Sequence, residues 1–269
     1  GIDDEKCLLD LAVGGYLAYL FLRLQDDVMD GHTHDSGGLL LGNACLGEFY
    51  DIYHCHFGAD HRFWPLQKEI YQTFSSTTLW ELKRHRNRRT PFTTPDLHRL
   101  GEKFIPAAVP PMAVALLAEA DAAAHRVREL VSLMGCGLQM VNDHKGIRHD
   151  FATGNYTAVI NDILLGVPPL RELEILAFPK RALTSSAMQR NLKRAQLFFT
   201  QALTVAQEID CKGAALYCRR HLTALEKEFF RVREMSRHAA LLAHRDITED
   251  MNTNGFHPEQ RAVGSEKAS

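Results

Sequence analysis

The sequence predicts an all-α protein, a single-domain bundle of antiparallel helices. Apolar residues recur at spacings of three and four along most of the chain, which is the period of an amphipathic helix. Alternating runs of β-branched residues are nearly absent, and no hairpin dipeptide joins two apolar runs. The length of 269 residues is sufficient for one large domain with a sizeable core.

The first two predicted helices occupy the N-terminal part of the chain. The first, 5–30, is apolar all round in its middle and charged at its two ends, which indicates a core helix. The stretch 32–38 combines polar residues with two glycines and breaks this helix. A helical pattern resumes over 39–57 and ends at Gly58.

Prolines set the predicted boundaries in the middle of the chain. The third predicted helix, 62–89, has a basic end and stops before Pro91 and Pro95. Asp96 can cap the next helix, which begins at about Leu97. Three further prolines should kink or interrupt that helix: Pro106, Pro110 and Pro111.

Three more helical patterns complete the predicted domain. They cover 125–150, 184–209 and 213–243. Residues 246–269 are polar and lack helical periodicity, which predicts a loose tail after a helical domain of residues 1–245.

Composition and charge exclude several function classes. Lys and Arg number 31 and Asp and Glu number 33, so no basic excess exists to neutralise nucleic-acid phosphates. The six cysteines form no CxxC pair, which favours free thiols in a reducing compartment and predicts a cytoplasmic protein. The sequence predicts no apolar run long enough to span a bilayer. Its first residues do not resemble a secretory signal.

The first candidate site is an acidic cluster at the end of the first predicted helix. Asp26 and Asp30 lie at i and i+4 on one helix face, and Asp27 is their neighbour. Carboxylates at the C-terminus of an apolar helix are unfavourable unless a cation neutralises them, because the helix dipole disfavours anions there. A hard divalent cation, above all Mg²⁺, suits such oxygen ligands. The structural alternative is a solvated helix end.

The second candidate site lies at the end of the predicted helix 125–150. Asn142, Gly146 and Asp150 share one helix face, and an amide oxygen and a carboxylate two turns apart can hold a metal between them. Lys145 and Arg148 add the positive charge that phosphate oxygens require. Taken alone, this cluster fits an exposed helix end laced with salt bridges.

Together, and in this order, the two clusters resemble the motifs of class I isoprenoid synthases. The stretch 26–31, DDVMDG, is similar to the DDxxD motif of trans-isoprenyl diphosphate synthases. The stretch 142–150, NDHKGIRHD, resembles the NDxx(S/T)xxxE motif of terpene cyclases, with Asp150 in place of Glu and Gly146 in place of a hydroxyl ligand. It can also be interpreted as a decayed aspartate-rich motif. The stretch 150–157 resembles the DxxxGKxT segment of prenyl synthases.

The resemblance implies an isoprenoid synthase-like bundle around a central cavity, with a Mg²⁺ cluster and a prenyl diphosphate substrate. The implied metal ligands are Asp26, Asp27, Asp30, Asn142, Asp143 and Asp150. Of these, the implied catalytic residues are Asp26, Asp30, Asn142 and Asp150. The implied substrate-binding residues are Arg148, Lys145, Arg99, Lys103 and Phe21. The expected activity is that of a terpene synthase, with no nucleic-acid partner and no transmembrane segment, and a homodimer is compatible with it.

Departures from the family motifs keep two alternatives open. The Arg-Arg pair that follows the first motif in chain-elongating synthases is absent, and the second motif is incomplete, which favours a cyclase. The Gly-Lys-x-Arg segment that lies upstream of the first motif in those synthases is also missing, but residue 1 is so close to the motif that further helices could precede it. The alternatives are a chain-elongating prenyltransferase and a catalytically silent prenyl-synthase-like subunit.

Overall fold

The computed structural model describes residues 4–29 and 37–253, with side chains up to residue 242. This part of the chain is helical and contains no strand, which confirms the all-α class. A 3-10 helix, Glu102–Ala108, lies between α4 and α5. The α-helices are α1 Glu5–Met29, α2 Gly37–His54, α3 Phe63–His85, α4 Thr94–Gly101, α5 Val109–Leu117, α6 Asp121–Ala152, α7 Ala158–Ile163, α8 Arg171–Thr184, α9 Ala187–Glu208 and α10 Lys212–Thr253.

The observed helices follow the predicted ones, with differences at their ends. Helix α3 stops at His85, before the predicted end at residue 89, because Arg86 is extended and Asn87 has a positive φ of 55°. Helix α10 continues to Thr253, beyond the predicted domain end at residue 245. A polar segment can extend an existing helix without apolar periodicity, since each added residue gains a backbone hydrogen bond. The sequence analysis did not identify α7 and α8.

The N-cap of α4 is Thr93, three residues before the predicted cap. The amide of Asp96 donates to Oγ1 of Thr93 at 3.3 Å, and the amide of Thr93 donates to Oδ2 of Asp96 at 2.8 Å. Asp96 is therefore the third helical residue of a capping box and not the N-cap itself. The predicted interruption by proline is confirmed, since the 3-10 helix contains Pro106.

Two clusters of buried apolar side chains form the core. One joins α1, α2, α3, α5 and the start of α6, and the other joins α4 and α6 with the later helices. Helix α6 contributes to both clusters, and it packs against α9, α4 and the 3-10 helix. The position of α6 therefore determines how the two halves of the described protein meet.

Two glycines bring the 3-10 helix unusually close to α6. A Cβ atom at Gly101 would lie 2.3 Å from Sγ of Cys136 and 2.3 Å from the carbonyl oxygen of Ser132. A Cβ atom at Gly135 would lie 2.7 Å from the carbonyl oxygen of Gly101. Only residues without a side chain allow this approach. The 3-10 helix also contacts α3, so its first residues lie between α3 and α6.

The ends of α1, α3 and α6 meet at one end of the bundle. Nη1 of Arg86, directly after α3, donates to the carbonyl oxygen of Met29 at the end of α1, at 3.3 Å. Arg86 also forms an isolated antiparallel bridge with Asn155, shortly after α6. Beside it, the amide of Asn87 donates to the carbonyl oxygen of Gly154 at 2.7 Å. These contacts bring the segments that carry the two acidic clusters to the same end of the molecule.

Two stretches are long and apolar enough to cross a membrane, a feature that the sequence analysis overlooked. They are Glu5–Met29, where 28% of an 18-residue window is buried, and Thr94–Leu117, where 50% is buried. The window in α1 reaches a mean hydropathy of 1.6 because its charged residues lie at the two ends. Length and composition are the only criteria here, and core helices of soluble proteins meet them as well.

Candidate functional site

Lys103 is the cation at the centre of the candidate site. Its Nζ lies 2.5 Å from Oε2 of Glu81 on α3, and the two side chains are 23% and 17% exposed. Burial disfavours the charged ammonium, but the carboxylates of Glu81, Asp26 and Asp143 outweigh this effect and raise the pKa of Lys103. The contact that holds this ammonium is therefore its ion pair with Glu81.

Asp143 is the buried acid of the second cluster. Its side chain accepts a hydrogen bond from Nε2 of Gln139 at 2.7 Å, and the residue is 3% exposed. Burial raises the pKa of Asp143 to about 8, with further contributions from Glu81 and Asp150, while Gln139 and Lys103 oppose the rise. In the metal-free protein the carboxyl group is therefore largely protonated at neutral pH.

The first cluster has a neighbouring cation that the sequence analysis missed. Nη1 of Arg23 lies 3.0 Å from Oδ2 of Asp26, and Nη2 lies 2.7 Å from Oδ1 of Asp27. The spacings of three and four residues in α1 were the available signal. The side chains of Asp26 and Asp27 are 43% and 27% exposed. Asp30, the third acid, lies outside the described residues.

Helix α6 turns Asp143, rather than Asn142, toward the protein interior. Asn142 is exposed while Asp143 is buried, because adjacent residues of a helix point about 100° apart. Asp150 is half-buried and accepts a hydrogen bond from Nδ2 of Asn155 at 3.1 Å. The carboxylate of Asp150 folds back over the preceding helical turn at Gly146. A Cβ atom at Gly146 would lie 2.9 Å from Oδ2 of Asp150, so the glycine leaves room for this carboxylate.

Arg99 is the predicted substrate-binding residue that lines a cleft. Its Cζ lies 4.6 Å from the centre of the Trp80 ring, a cation–π contact. The open cleft beside it has a volume of about 590 Å³. Its lining residues are Thr94, Pro95, His98, Arg99, Glu102 and Ser132, so neither acidic cluster contributes to it. The predicted cavity between the two clusters stays a prediction.

The other predicted substrate-binding residues lie apart from Lys103. Lys145 is exposed, and it contributes with burial to lowering the pKa of His221 on α10, so its charge acts toward that helix. Arg148 is exposed on α6. Phe21 is 8% exposed and packs against α2 at Gly42, where it fills the core.

A buried hydrogen-bond network centred on Glu174 fixes the chain segment that follows Asp150. Glu174 on α8 is 2% exposed, and it accepts a hydrogen bond from the Tyr156 hydroxyl at 2.5 Å and from Nη1 of Arg89 at 3.4 Å. Arg89 also donates to the carbonyl oxygens of Val167 and Leu164, both at 2.6 Å. This network connects the segment after α3 to the segment after α6.

Neither residues 4–29 nor the described chain from residue 37 onward assembles three or more His, Cys, Asp or Glu side chains that could hold a metal ion. Carboxylate oxygens such as those of Asp26, Asp27 and Asp143 are the donor type that Mg²⁺ prefers. Comparison of the chain with family models, curated proteins and solved structures finds no match.

Proposed function

We propose that this protein is a Mg²⁺-dependent class I terpene synthase that acts on a linear prenyl diphosphate. One observation carries the proposal. Arg86 connects the end of α1, which carries the DDxxD-like stretch, to Asn155, which lies five residues after the second motif-like stretch. This contact supports a common locus at one end of the bundle for two motif-like stretches that begin at residues 26 and 142.

The residues at this locus have complementary roles in the proposed reaction. The acids Asp26, Asp143 and Asp150 would hold Mg²⁺, and Asp30 and Asn142 stay predicted ligands. When bound, the metal supplies Lewis-acid neutralisation of the diphosphate, which is a poor leaving group while it is charged. Lys103 and Arg99 would bind diphosphate oxygens, since ionised donors form the strongest hydrogen bonds to phosphate.

Departure of diphosphate leaves an allylic cation, which needs an apolar and aromatic environment. Trp80 directly precedes Glu81 on α3, and His85 and Phe92 stack nearby with ring centres 3.9 Å apart. The negative face of an aromatic ring stabilises a cation, and exclusion of water prevents its quenching. Trp80 is therefore the aromatic residue that we assign to the reacting end of the substrate.

A catalytically silent subunit is the second candidate function. It is favoured by Arg23, which neutralises Asp26 and Asp27, and by the lack of an assembled metal group within residues 4–29 and 37–253. A chain-elongating prenyltransferase is the third alternative, and it requires isopentenyl diphosphate as a second substrate.

Product analysis distinguishes these functions. The protein is incubated with short and long prenyl diphosphates, with Mg²⁺ or with a chelator, and diphosphate release and products are measured by enzymatic assay and mass spectrometry. A synthase releases diphosphate from the allylic substrate alone, and Asp26→Ala abolishes the release, while the exposed control Asp51→Ala on α2 retains it. Absence of release indicates the silent subunit, and products formed only with isopentenyl diphosphate indicate the elongating enzyme.

A further inference from the structure

We propose that one face of α1 is a membrane-docking surface, which lies on a zwitterionic lipid bilayer without crossing it. The face consists of large apolar side chains that the described part of the protein leaves exposed, and we call it the α1 face. Its members are Leu8, Leu9, Val13, Tyr16 and Tyr19. The inference depends neither on the proposed catalytic function nor on a metal ion.

The α1 face follows one side of the helix without a polar interruption. Leu9, Val13, Tyr16 and Tyr19 succeed one another at spacings of four, three and three residues, and the whole face extends over roughly 17 Å of helix axis. Its residues are between 36% and 63% exposed. Residues 11–22 contain no charged side chain. The middle of α1 is therefore apolar all round, a pattern typical of a helix that is covered on every side.

Close packing fixes which side of α1 faces outward. The Tyr53 hydroxyl on α2 donates to the carbonyl oxygen of Leu11 at 3.0 Å. A Cβ atom at Gly14 would lie 2.7 Å from the Tyr53 ring, and one at Gly15 would overlap the ring of Pro110 on α5. The two glycines allow α1 to pack tightly against α2 and α5. Rotation of α1 to bury the α1 face would break these contacts.

The low burial of α1 distinguishes it from a core helix. Its apolar 18-residue window has a mean hydropathy of 1.6, but only 28% of that window is buried. The rings of Tyr16 and Tyr19 lie on the exposed side, with centres 6.1 Å apart. Tyrosine combines an apolar ring with a polar hydroxyl, and such side chains are favoured at the boundary between membrane and water.

The charges at the two ends of α1 favour a neutral lipid surface over a second copy of the chain. Residues 4–10 include three acids and one lysine, and residues 23–29 include two acids and one arginine. Two copies that pair along α1, parallel or antiparallel, would bring acidic ends together, and like charges across an interface oppose binding. Zwitterionic headgroups have no net charge, whereas anionic headgroups would repel both ends of α1.

Co-sedimentation with vesicles tests the docking. The protein is mixed with phosphatidylcholine vesicles, or with vesicles that also contain phosphatidylserine, and the bound fraction is measured against lipid concentration. The double variant Leu9→Glu/Tyr16→Glu places two charges on the α1 face. Leu176→Glu on α8 is the matched control, since this leucine is 76% exposed and lies outside the α1 face. Circular dichroism verifies the helical content of each variant, and analytical ultracentrifugation measures its oligomeric state.

We expect wild type and Leu176→Glu to bind phosphatidylcholine vesicles alike. The double variant should bind at least about tenfold more weakly, because it loses two apolar side chains from the contact and adds charge to it. Phosphatidylserine should weaken the binding of wild type. Absence of wild-type binding, equal binding by the double variant, or tighter binding to vesicles with phosphatidylserine would overturn the inference. So would a wild-type dimer that ignores lipid and that the double variant dissociates.

A second variant keeps the inference testable if the double variant does not fold. Tyr16→Trp adds an indole ring to the α1 face, above a background from the native Trp64 and Trp80. A docked helix buries its apolar face about 5–10 Å into the boundary between headgroups and acyl chains. Lipids brominated in their acyl chains should therefore quench the fluorescence of Tyr16→Trp more strongly than that of wild type. Equal quenching of the two proteins would contradict the docking, whether or not the protein releases diphosphate.

Discussion

Replacement of Asp143 by Asn should stabilise the metal-free protein near neutral pH and leave its stability unchanged in acid. Asn has nearly the shape of the protonated carboxyl group, and its side-chain oxygen can still accept the hydrogen bond from Gln139. The variant therefore removes the titration of the buried acid while keeping its packing.

The sign follows from proton binding. The pKa of Asp143 is raised from 3.8 to about 8 in the folded protein, so between these values the folded state binds more protons than the unfolded state. The contribution of Asp143 to stability is then complete below about pH 4 and declines as the pH rises toward about 8. pH 7 lies about three pH units above the unfolded-state pKa of 3.8. At 1.36 kcal/mol per unit, the stability that wild type loses through Asp143 by pH 7 is at most about 4 kcal/mol.

Urea unfolding across this pH range, with a chelator present, measures the effect. The stability difference between Asp143→Asn and wild type should grow with pH to about 2–4 kcal/mol at neutral pH. Glu48→Gln, which changes an exposed carboxyl group on α2, serves as the control and should follow wild type. Parallel pH profiles for Asp143→Asn and wild type would refute the assignment of Asp143 as a buried, protonated acid.

Three further predictions concern packing, buried charge and metal. Gly135→Ala should cost about 1–3 kcal/mol in urea unfolding, because its Cβ would lie 2.7 Å from a backbone carbonyl oxygen, whereas Gly213→Ala in α10 meets no atom within 4 Å and should not destabilise the protein. Glu174→Ala should cost about 3–5 kcal/mol in the same assay, since it leaves the buried end of the Arg89 network without its acid, and a loss under 1 kcal/mol would contradict that role. Gly146→Ser should lower the Mg²⁺ concentration for half-maximal diphosphate release relative to Gly146→Ala, because both displace the Asp150 carboxylate but only Ser adds a ligand; equal Mg²⁺ dependence would mean that position 146 does not face the ion.

Sequence periodicity was sufficient for the long helices but not for the short ones. Helices of more than 20 residues, such as α6, repeat the apolar pattern often enough to be recognised. Helix α7 has only six residues, and α8 contains Pro179, which obscured its helical pattern. The cap of α4 was misjudged because Thr93 and Asp96 are both good capping residues, and only the hydrogen bonds distinguish their roles.

The candidate site was predictable in its parts but not in its orientation. Spacing determines that positions 142, 146 and 150 share a helix face, but it does not determine which face meets the rest of the protein. In the folded protein Gly101, at the end of α4, packs against Ser132 and Cys136 of α6, and Asp143 on the same helix is buried. The partner of Lys103 was not predicted, because Glu81 is 22 residues away in sequence and the contact forms only in the folded protein.

The contacts of Arg86 have a consequence for ligand binding. They join the end of α1 to the segment after α6, so the parts of the chain that carry the two acidic clusters are already held together. A ligand that needs both clusters does not have to bring them together, and the conformational entropy of that step is lost during folding instead of during binding. A preorganised site of this kind favours small, compact and highly charged ligands, which have too little surface to drive the closure of separated chain segments.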